Sequence, residues 1–234
     1  YLMNLKKFND DDRQELVTQD NQLVESCYSM TPNEKRILWL GMRKANSPFY
    51  PNATEPASFT ITAKEYAKHF PVVGEHPWRA LKRAGKLLRG RYVKFPERAN
   101  KELDVNWFDS IEYSNGEGAI TVRFSYSIHV RLTALENQFT QFPLLDVGQL
   151  RTSYAMRLFE MVYQFKSTGY RRVTIEKYRF MMDCVNKYNS VSELKRNTLY
   201  PAIKDLKKNS NLNIKVKELK DGRKITHFEF IIVQ

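Results

Sequence analysis

A chain of 234 residues fits one large domain or two small ones, and two is the expectation here. Its formal net charge of +12 and isoelectric point of about 9.6 favour a polyanionic partner, while Cys27 and Cys184, far apart and without a C-x-x-C or His partner at ligand spacing, argue against a disulfide framework or a zinc site. The two isolated cysteines make a reducing cytoplasm the expected compartment; no stretch approaches the ~18 apolar residues of a membrane span and no signal peptide is evident, so no membrane partner is expected.

In chain order, a polar lead-in carries Asp10, Asp11 and Asp12, read as solvated acid rather than a metal cluster. A helix is predicted over 17 to 29. A second begins at Thr31-Pro32-Asn33-Glu34, with Thr as cap, Pro in the first turn and Glu at the third position. It runs through Ile37, Leu38 and Leu40 towards Lys44. Residues 47 to 56 are a Pro/Asn-rich loop, 59 to 61 a short strand and 63 to 70 a short helix. Pro77 opens a helix with Trp78, Leu81, Ala84, Gly85 and Leu88 on one face; Arg79, Lys82, Arg83 and Lys86 lie on the other. Strands follow at 92 to 95, 107 to 113 and 119 to 126, the last two joined by Asn115-Gly116-Glu117-Gly118.

The same order of elements then recurs. Residues 153 to 166 form a helix with Tyr154, Leu158, Met161, Val162 and Phe165 as its buried stripe; 173 to 175 form a short strand and 176 to 184 a short helix. Ser190 and Glu193 fit a capping box for a further helix that sets Leu199, Ala202, Ile203 and Leu206 on one arc. Arg196, Asn197, Tyr200, Lys204 and Lys207 lie roughly opposite. Strands at 212 to 219 and 224 to 232 close the unit through a turn at Asp221-Gly222. The triplet Leu81-Lys82-Arg83 returns as Leu194-Lys195-Arg196, a weak likeness beside the shared element order. The fold class is α+β, two tandem winged-helix domains related by pseudo-symmetry, over 1–143 and 144–234. The join lies around 142 to 148.

Charge is unevenly shared. Residues 1 to 143 hold 20 Lys and Arg against 17 Asp and Glu, and residues 144 to 234 hold 18 against 9, nets of +3 and +9. A cationic helix with a cationic hairpin beside it outlines a DNA reader. The helix's N-terminal half, Lys195, Arg196 and Asn197, is the base-reading end; Tyr200 lies among the cations Lys204 and Lys207 and suits, like Asn197, phosphate and base-edge hydrogen bonds. Lys195 joins this set although ideal geometry places it on the apolar arc. Pro201 removes a helical hydrogen bond to the Asn197 carbonyl and predicts a kink. In the hairpin, Arg223 and Lys224 at the turn read as a wing on phosphate, while Lys215 and Lys217 equally fit edge-strand protection. The same DNA-contacting role is assigned to Arg79, Lys82, Arg83 and Lys86, whose counter-charges alternatively lie elsewhere on the surface. No G-x-x-x-x-G-K-[ST] loop is present. His69, His76, His129 and His227 are isolated, so neither catalytic residues nor a metal or cofactor are expected. Trp39, Trp78 and Trp107 read as core.

Several blocks resemble the theta-type plasmid replication initiators, the Rep proteins that bind repeated origin sequences called iterons. They are Asn21-Gln22-Leu23-Val24-Glu25 with Met30 to Leu38; Leu150, Ser153, Tyr154, Arg157, Leu158 and Glu160, with Phe159 where the family usually has Tyr; Leu194-Lys195-Arg196 with Ile203; and Gly222 to Phe228. The resemblance covers nearly the whole chain. It implies monomers that bind iterons in double-stranded DNA, each domain placing a helix in a major groove. It also implies dimers, joined through the first domain, that repress their own promoter at an inverted repeat, and recruitment of the host replicative helicase and initiator proteins. A tandem winged-helix transcriptional regulator without a replication role shares every residue argument; a nicking nuclease lacks the histidines it would need.

Overall fold

The computed structural model describes residues 15–45, 55–56, 58–72, 74–98, 101–133 and 138–233. The acidic lead-in at 10 to 12 and most of the loop at 47 to 56 lie outside them. The described residues start with β1 (Leu16–Asp20) and the short α1 (Asn21–Glu25), where a single helix over 17 to 29 was expected. The correction has a tertiary cause. β1 pairs antiparallel with a strand from far along the chain, β7 (Phe139–Pro143), in the register Leu16↔Pro143 to Asp20↔Phe139. Val17, Thr18 and Gln19 are buried in that pair. Asp20 then accepts from the Gln22 N–H at 2.7 Å and starts α1.

The first winged helix begins with α2 (Pro32–Ala45). Its cap is reciprocal, since Thr31 N–H donates to Glu34 Oε2 at 2.7 Å and Glu34 N–H to Thr31 Oγ1 at 3.4 Å. α2 is buried almost all round, which marks a helix inside a core rather than on its surface. Gly41 sits where a Cβ would fall 2.9 Å from the Phe124 ring, so helix and sheet meet this closely only because it has none. β2 (Ser58–Thr62), α3 (Ala63–His69) and α4 (Pro77–Leu88) follow. The next hairpin, β3 (Tyr92–Arg98) with β4 (Lys101–Asn106), is an insertion. Its second strand was not expected; Leu103 and Val105 alternate with polar residues, but five of its six side chains are exposed. β5 (Phe108–Ser114) and β6 (Ala119–Phe124) complete an antiparallel sheet in the order β2-β6-β5. Trp107 is buried but precedes the strand assigned to it. α5 (Tyr126–Thr133) and β7 lead to the one-turn α6 (Leu144–Val147).

The second winged helix repeats the plan. α7 (Ser153–Tyr163), β8 (Tyr170–Thr174) and α8 (Ile175–Met181) precede the reading helix. That helix is made of α9 (Val191–Leu194), a π-helical turn over Lys195–Leu199, and α10 (Tyr200–Asn209). β9 (Asn213–Asp221) and β10 (Lys224–Val233) give a second antiparallel sheet, β8-β10-β9. In both units the sheet joins first strand, last strand and middle strand in that order.

One contiguous apolar core runs through both units, and α7 is the element that joins them. It packs on α10 within its own unit and on α2 and β7 of the other. Phe142 meets Trp39 and Phe159 edge-on, and Phe159 stacks on Tyr163 at 4.9 Å. Beside these rings lies a buried ionic cluster. The fully buried Glu160 carboxylate accepts from Lys35 Nζ at 2.7 Å, Trp39 Nε1 and Arg157 Nη1 at 2.9 Å each, Tyr28 OH at 3.0 Å and Gln19 Nε2 at 3.1 Å. Arg157 also donates to the Val24 and Ser26 carbonyls at the end of α1 and, at 3.4 Å, to Met181 O at the end of α8. Burial alone would raise the Glu160 pKa, but the Lys35 and Arg157 cations outweigh it and hold it at about 2. Burial lowers Lys35 to about 8 against the pull of Glu160.

Candidate nucleic-acid interface

The second reading helix starts at a complete capping box. Glu193 N–H donates to Ser190 Oγ at 3.1 Å, and Ser190 N–H to Glu193 Oε2 at 3.3 Å. Its inner face buries Leu194, Thr198, Leu199, Ala202 and Leu206. Thr198 Oγ1 donates to Leu194 O at 2.7 Å and meets Tyr178 OH at 3.1 Å. Pro201, which has no N–H, follows directly on the π-helical turn, in which Tyr200 N–H reaches back five residues to Lys195 O. Such a turn takes one residue more than an α-turn. The sequence predicted a kink at Pro201, and the irregularity found there is this widened turn, which shifts the phase between Arg196-Asn197 and the cations of α10.

Arg196, Asn197, Tyr200, Lys204 and Lys207 are all exposed, and Tyr200 keeps 53% of its surface open. Arg196, Lys204 and Lys207 make no ion pair among the described residues. Asn197 is held back, donating from Nδ2 to Glu193 O at 2.8 Å; reading an adenine edge takes both its donor and its acceptor, so that bond has to open. Lys195 is placed differently. It is half-buried and paired with Glu218 of β9 at 2.6 Å, and the hydrogen bond to that carboxylate raises its pKa. Its position spans helix and wing, as its place on the apolar arc foreshadowed. Lys208, exposed one turn after Lys204, extends the cationic face beyond the residues expected there; its i+4 spacing from Lys204 is the signal in the sequence that points to it.

The wing is the β9–β10 hairpin. Lys224 pairs with Asp221, leaving Gly222 and Arg223 as the two connecting residues, one position later than expected. Gly222 has φ +56°, which suits the first position of a tight hairpin turn. Arg223 and Lys224 are both exposed there, as are Lys215, Lys217 and Lys220 on β9. β9 is an edge strand, so the protective reading of Lys215 and Lys217 keeps its footing.

In the first unit, α4 buries Ala80, Leu81, Ala84, Gly85 and Leu88, while Trp78 is only half-buried, beneath the Lys82 ammonium. Arg79 and Lys86 point outward without an ion pair among the described residues. Lys82 donates to Asn115 Oδ1 at 2.7 Å in the β5–β6 turn. Arg83 pairs with Glu75 at 2.8 Å while 64% exposed. A pair that open contributes little, roughly 0–1 kcal/mol, and a phosphate can displace it. The four cations predicted on this helix therefore share a face, two of them already engaged with neighbours.

Among the described residues no group of three His, Cys, Asp or Glu side chains is placed to hold a metal ion, and no helix is long and apolar enough to cross a membrane. Two winged helices, each with a cationic reading helix and the second with a cationic hairpin beside it, define the class: a tandem winged-helix DNA-binding protein. Comparison with known proteins goes further. Residues 16–163 match the family described as "Initiator Replication protein, WH1", and residues 174–232 match "Initiator Rep protein, WH2". The chain belongs to this initiator replication protein family.

It is 26% identical to the PI protein of Escherichia coli, over 98% of this chain and 87% of that one. It is 23% identical to a replication initiation protein from the same organism, over 86% of this chain and 65% of the relative. The fold matches the crystal structure of the Pi initiator protein in complex with iteron DNA. The TM-score is 0.75 and the identity 21%, with 94% of this chain and 98% of that one covered.

Proposed function

We propose that this protein initiates plasmid replication by binding iteron repeats in double-stranded origin DNA, without enzymatic activity of its own. The observation that carries the reading is the second reading helix, with Arg196, Tyr200, Lys204 and Lys207 exposed on one side and the Arg223-Lys224 turn beside it. Family membership and the likeness to an initiator solved on iteron DNA support it. Residues 144–234 supply the main specific contact and residues 1–143 the auxiliary contacts from Arg79, Lys82, Arg83 and Lys86. Lys195 acts through Glu218, fastening helix to wing.

As a dimer joined through the first unit, the protein binds an inverted repeat in its own promoter and represses it; at the origin it recruits the host helicase and initiator proteins. The bacterial cytoplasm is where these partners meet. Footprinting on the DNA flanking the gene tests the reading. Protection of direct repeats, and replication of a plasmid bearing them when the protein is supplied in trans, is the expected result. Protection of an inverted repeat alone, with no replication in trans, would make the protein a transcriptional regulator.

A further inference from the structure

Each winged helix keeps its first helix against its own reading helix, α2 on α4 and α7 on α10. The two first helices also face each other. The geometry of one reading helix relative to the other is therefore transmitted through the seam between α2 and α7. The aromatic contacts there, Trp39–Phe142–Phe159, tolerate small displacements, because apolar packing is non-directional. The ionic cluster does not. Five donors converge on the Glu160 carboxylate, four of them from residues that precede α7 by more than 100 positions. The Tyr28 hydroxyl accepts from Arg157 at 2.6 Å and from Lys35, and donates to Glu160, so its bonding capacity is used up.

Stability is a poor explanation for this arrangement. A buried ion pair is often replaced by well-packed apolar residues without loss of stability, and its best-attested benefit is geometric specificity. The connecting segment is fastened as well: Arg36 Nη2 of α2 donates to Leu150 O at 3.1 Å, and Asp205 of α10 accepts from Arg151 N–H at 3.0 Å and Thr152 N–H at 2.8 Å.

We propose that Arg157 and Glu160 are positioning residues for recognition of one repeat by the monomer, holding its two winged helices at the mutual orientation seen here and so setting the half-site spacing that the monomer accepts. This rests on the reading that both units engage one repeat. The scale is right for it. One added base pair displaces a half-site by about 3.4 Å and about 34° around the duplex, whereas hydrogen bonds weaken steeply over tenths of an ångström and tens of degrees.

The test uses the full chain and the duplex that the wild type protects by footprinting. Affinities are measured for that duplex, for versions with one or two base pairs inserted between its half-sites, and for one with a single half-site scrambled. The wild type should lose roughly tenfold or more on the one-base-pair insertion, because one unit no longer engages. Glu160→Gln should narrow that preference to within about threefold, with unchanged affinity for the duplex that keeps one intact half-site. Tyr28→Phe, which removes the shared hydroxyl and leaves the Glu160 charge paired, should shift the preference the same way, and it carries the test if Glu160→Gln does not fold. A folded variant with the wild-type spacing preference overturns the proposal. A wild type that binds the repeat yet accepts the insertion equally well overturns it too, leaving the initiator reading in place. A wild type that distinguishes no origin duplex from scrambled DNA overturns that reading and this proposal with it.

Discussion

Arg196 and Asn197 open the outward face of the second reading helix, and their surroundings differ. The guanidinium of Arg196 is free to fork onto a guanine edge; the Asn197 amide first releases Glu193 O. Arg196→Ala and Asn197→Ala should each weaken specific binding by ~1–3 kcal/mol, with smaller losses on scrambled duplex. Competition titrations separate the two effects; equal weakening on both duplexes would make these residues phosphate contacts only. At the seam, Glu160 makes a prediction about acid. Its folded pKa of about 2 lies below the ordinary value of 4.5, so its contribution is present above about pH 4.5 and is lost as pH falls towards 2, on the order of 3 kcal/mol in all. Lys35 works in the opposite direction. Its pKa falls from 10.5 to about 8, so below pH 8 burial of the ammonium takes back part of that contribution. Urea unfolding of Glu160→Gln between pH 2 and 6 should show a flatter rise in stability with pH than the wild type. Parallel curves would mean that other carboxylates carry the acid sensitivity.

Elements set how these residues are presented. The π-helical turn before Pro201 absorbs the missing N–H, so Pro201→Ala should stabilise the protein by far less than the ~3 kcal/mol that a proline costs in a helix interior. It should still reduce specific binding. A regular α-turn would rotate Arg196 and Asn197 relative to Lys204 and Lys207 by about one residue, roughly 100°. Denaturation midpoints and titrations on the same variant check both parts, and unchanged specificity would show that the phase of the helix is immaterial to reading. The wing is simpler. Arg223→Ala with Lys224→Ala should weaken all duplexes alike and lower the log–log salt slope by about 0.9 for each phosphate that the hairpin no longer neutralises. An unchanged slope would return the hairpin to plain edge protection.

At the scale of the molecule, the two units differ in charge and in how far their cations are already engaged. The C-terminal part carries +9 against +3, and in the first reading helix Lys82 and Arg83 are already engaged. Lys204→Ala with Lys207→Ala in the full chain should therefore weaken binding more than Arg79→Ala with Lys86→Ala does. The reverse order, measured at one salt concentration, would mean that the charge imbalance points to the wrong unit. Substitution within the full chain is the sound comparison. Cutting at 143/144 would strip Glu160 of Gln19, Tyr28, Lys35 and Trp39 and expose a charge cluster that folding has buried.

Local signals in the sequence determined much of this. The Thr31-Pro32-Asn33-Glu34 and Ser190–Glu193 starts and the Gly222 turn each act within a few residues, and each lies where it was expected, give or take a residue. The stripe expected on 153 to 166 is instead a helix buried on every side over 155–162, with Tyr154 and Phe165 only half-buried. The repeated element order was enough to read two winged helices. Arg157 and Glu160 entered the sequence reading only within a block that resembles the initiator family, and their neighbours in the sequence say nothing of Gln19, Lys35 or Trp39. Only the tertiary structure decided that β1 is a strand, because its partner β7 lies more than 100 residues away. It decided as well that Lys195 belongs to Glu218 and that the two units meet over a buried carboxylate. Local propensity acts through neighbours in the chain, whereas pairing and burial are settled by which distant residues arrive at the same place.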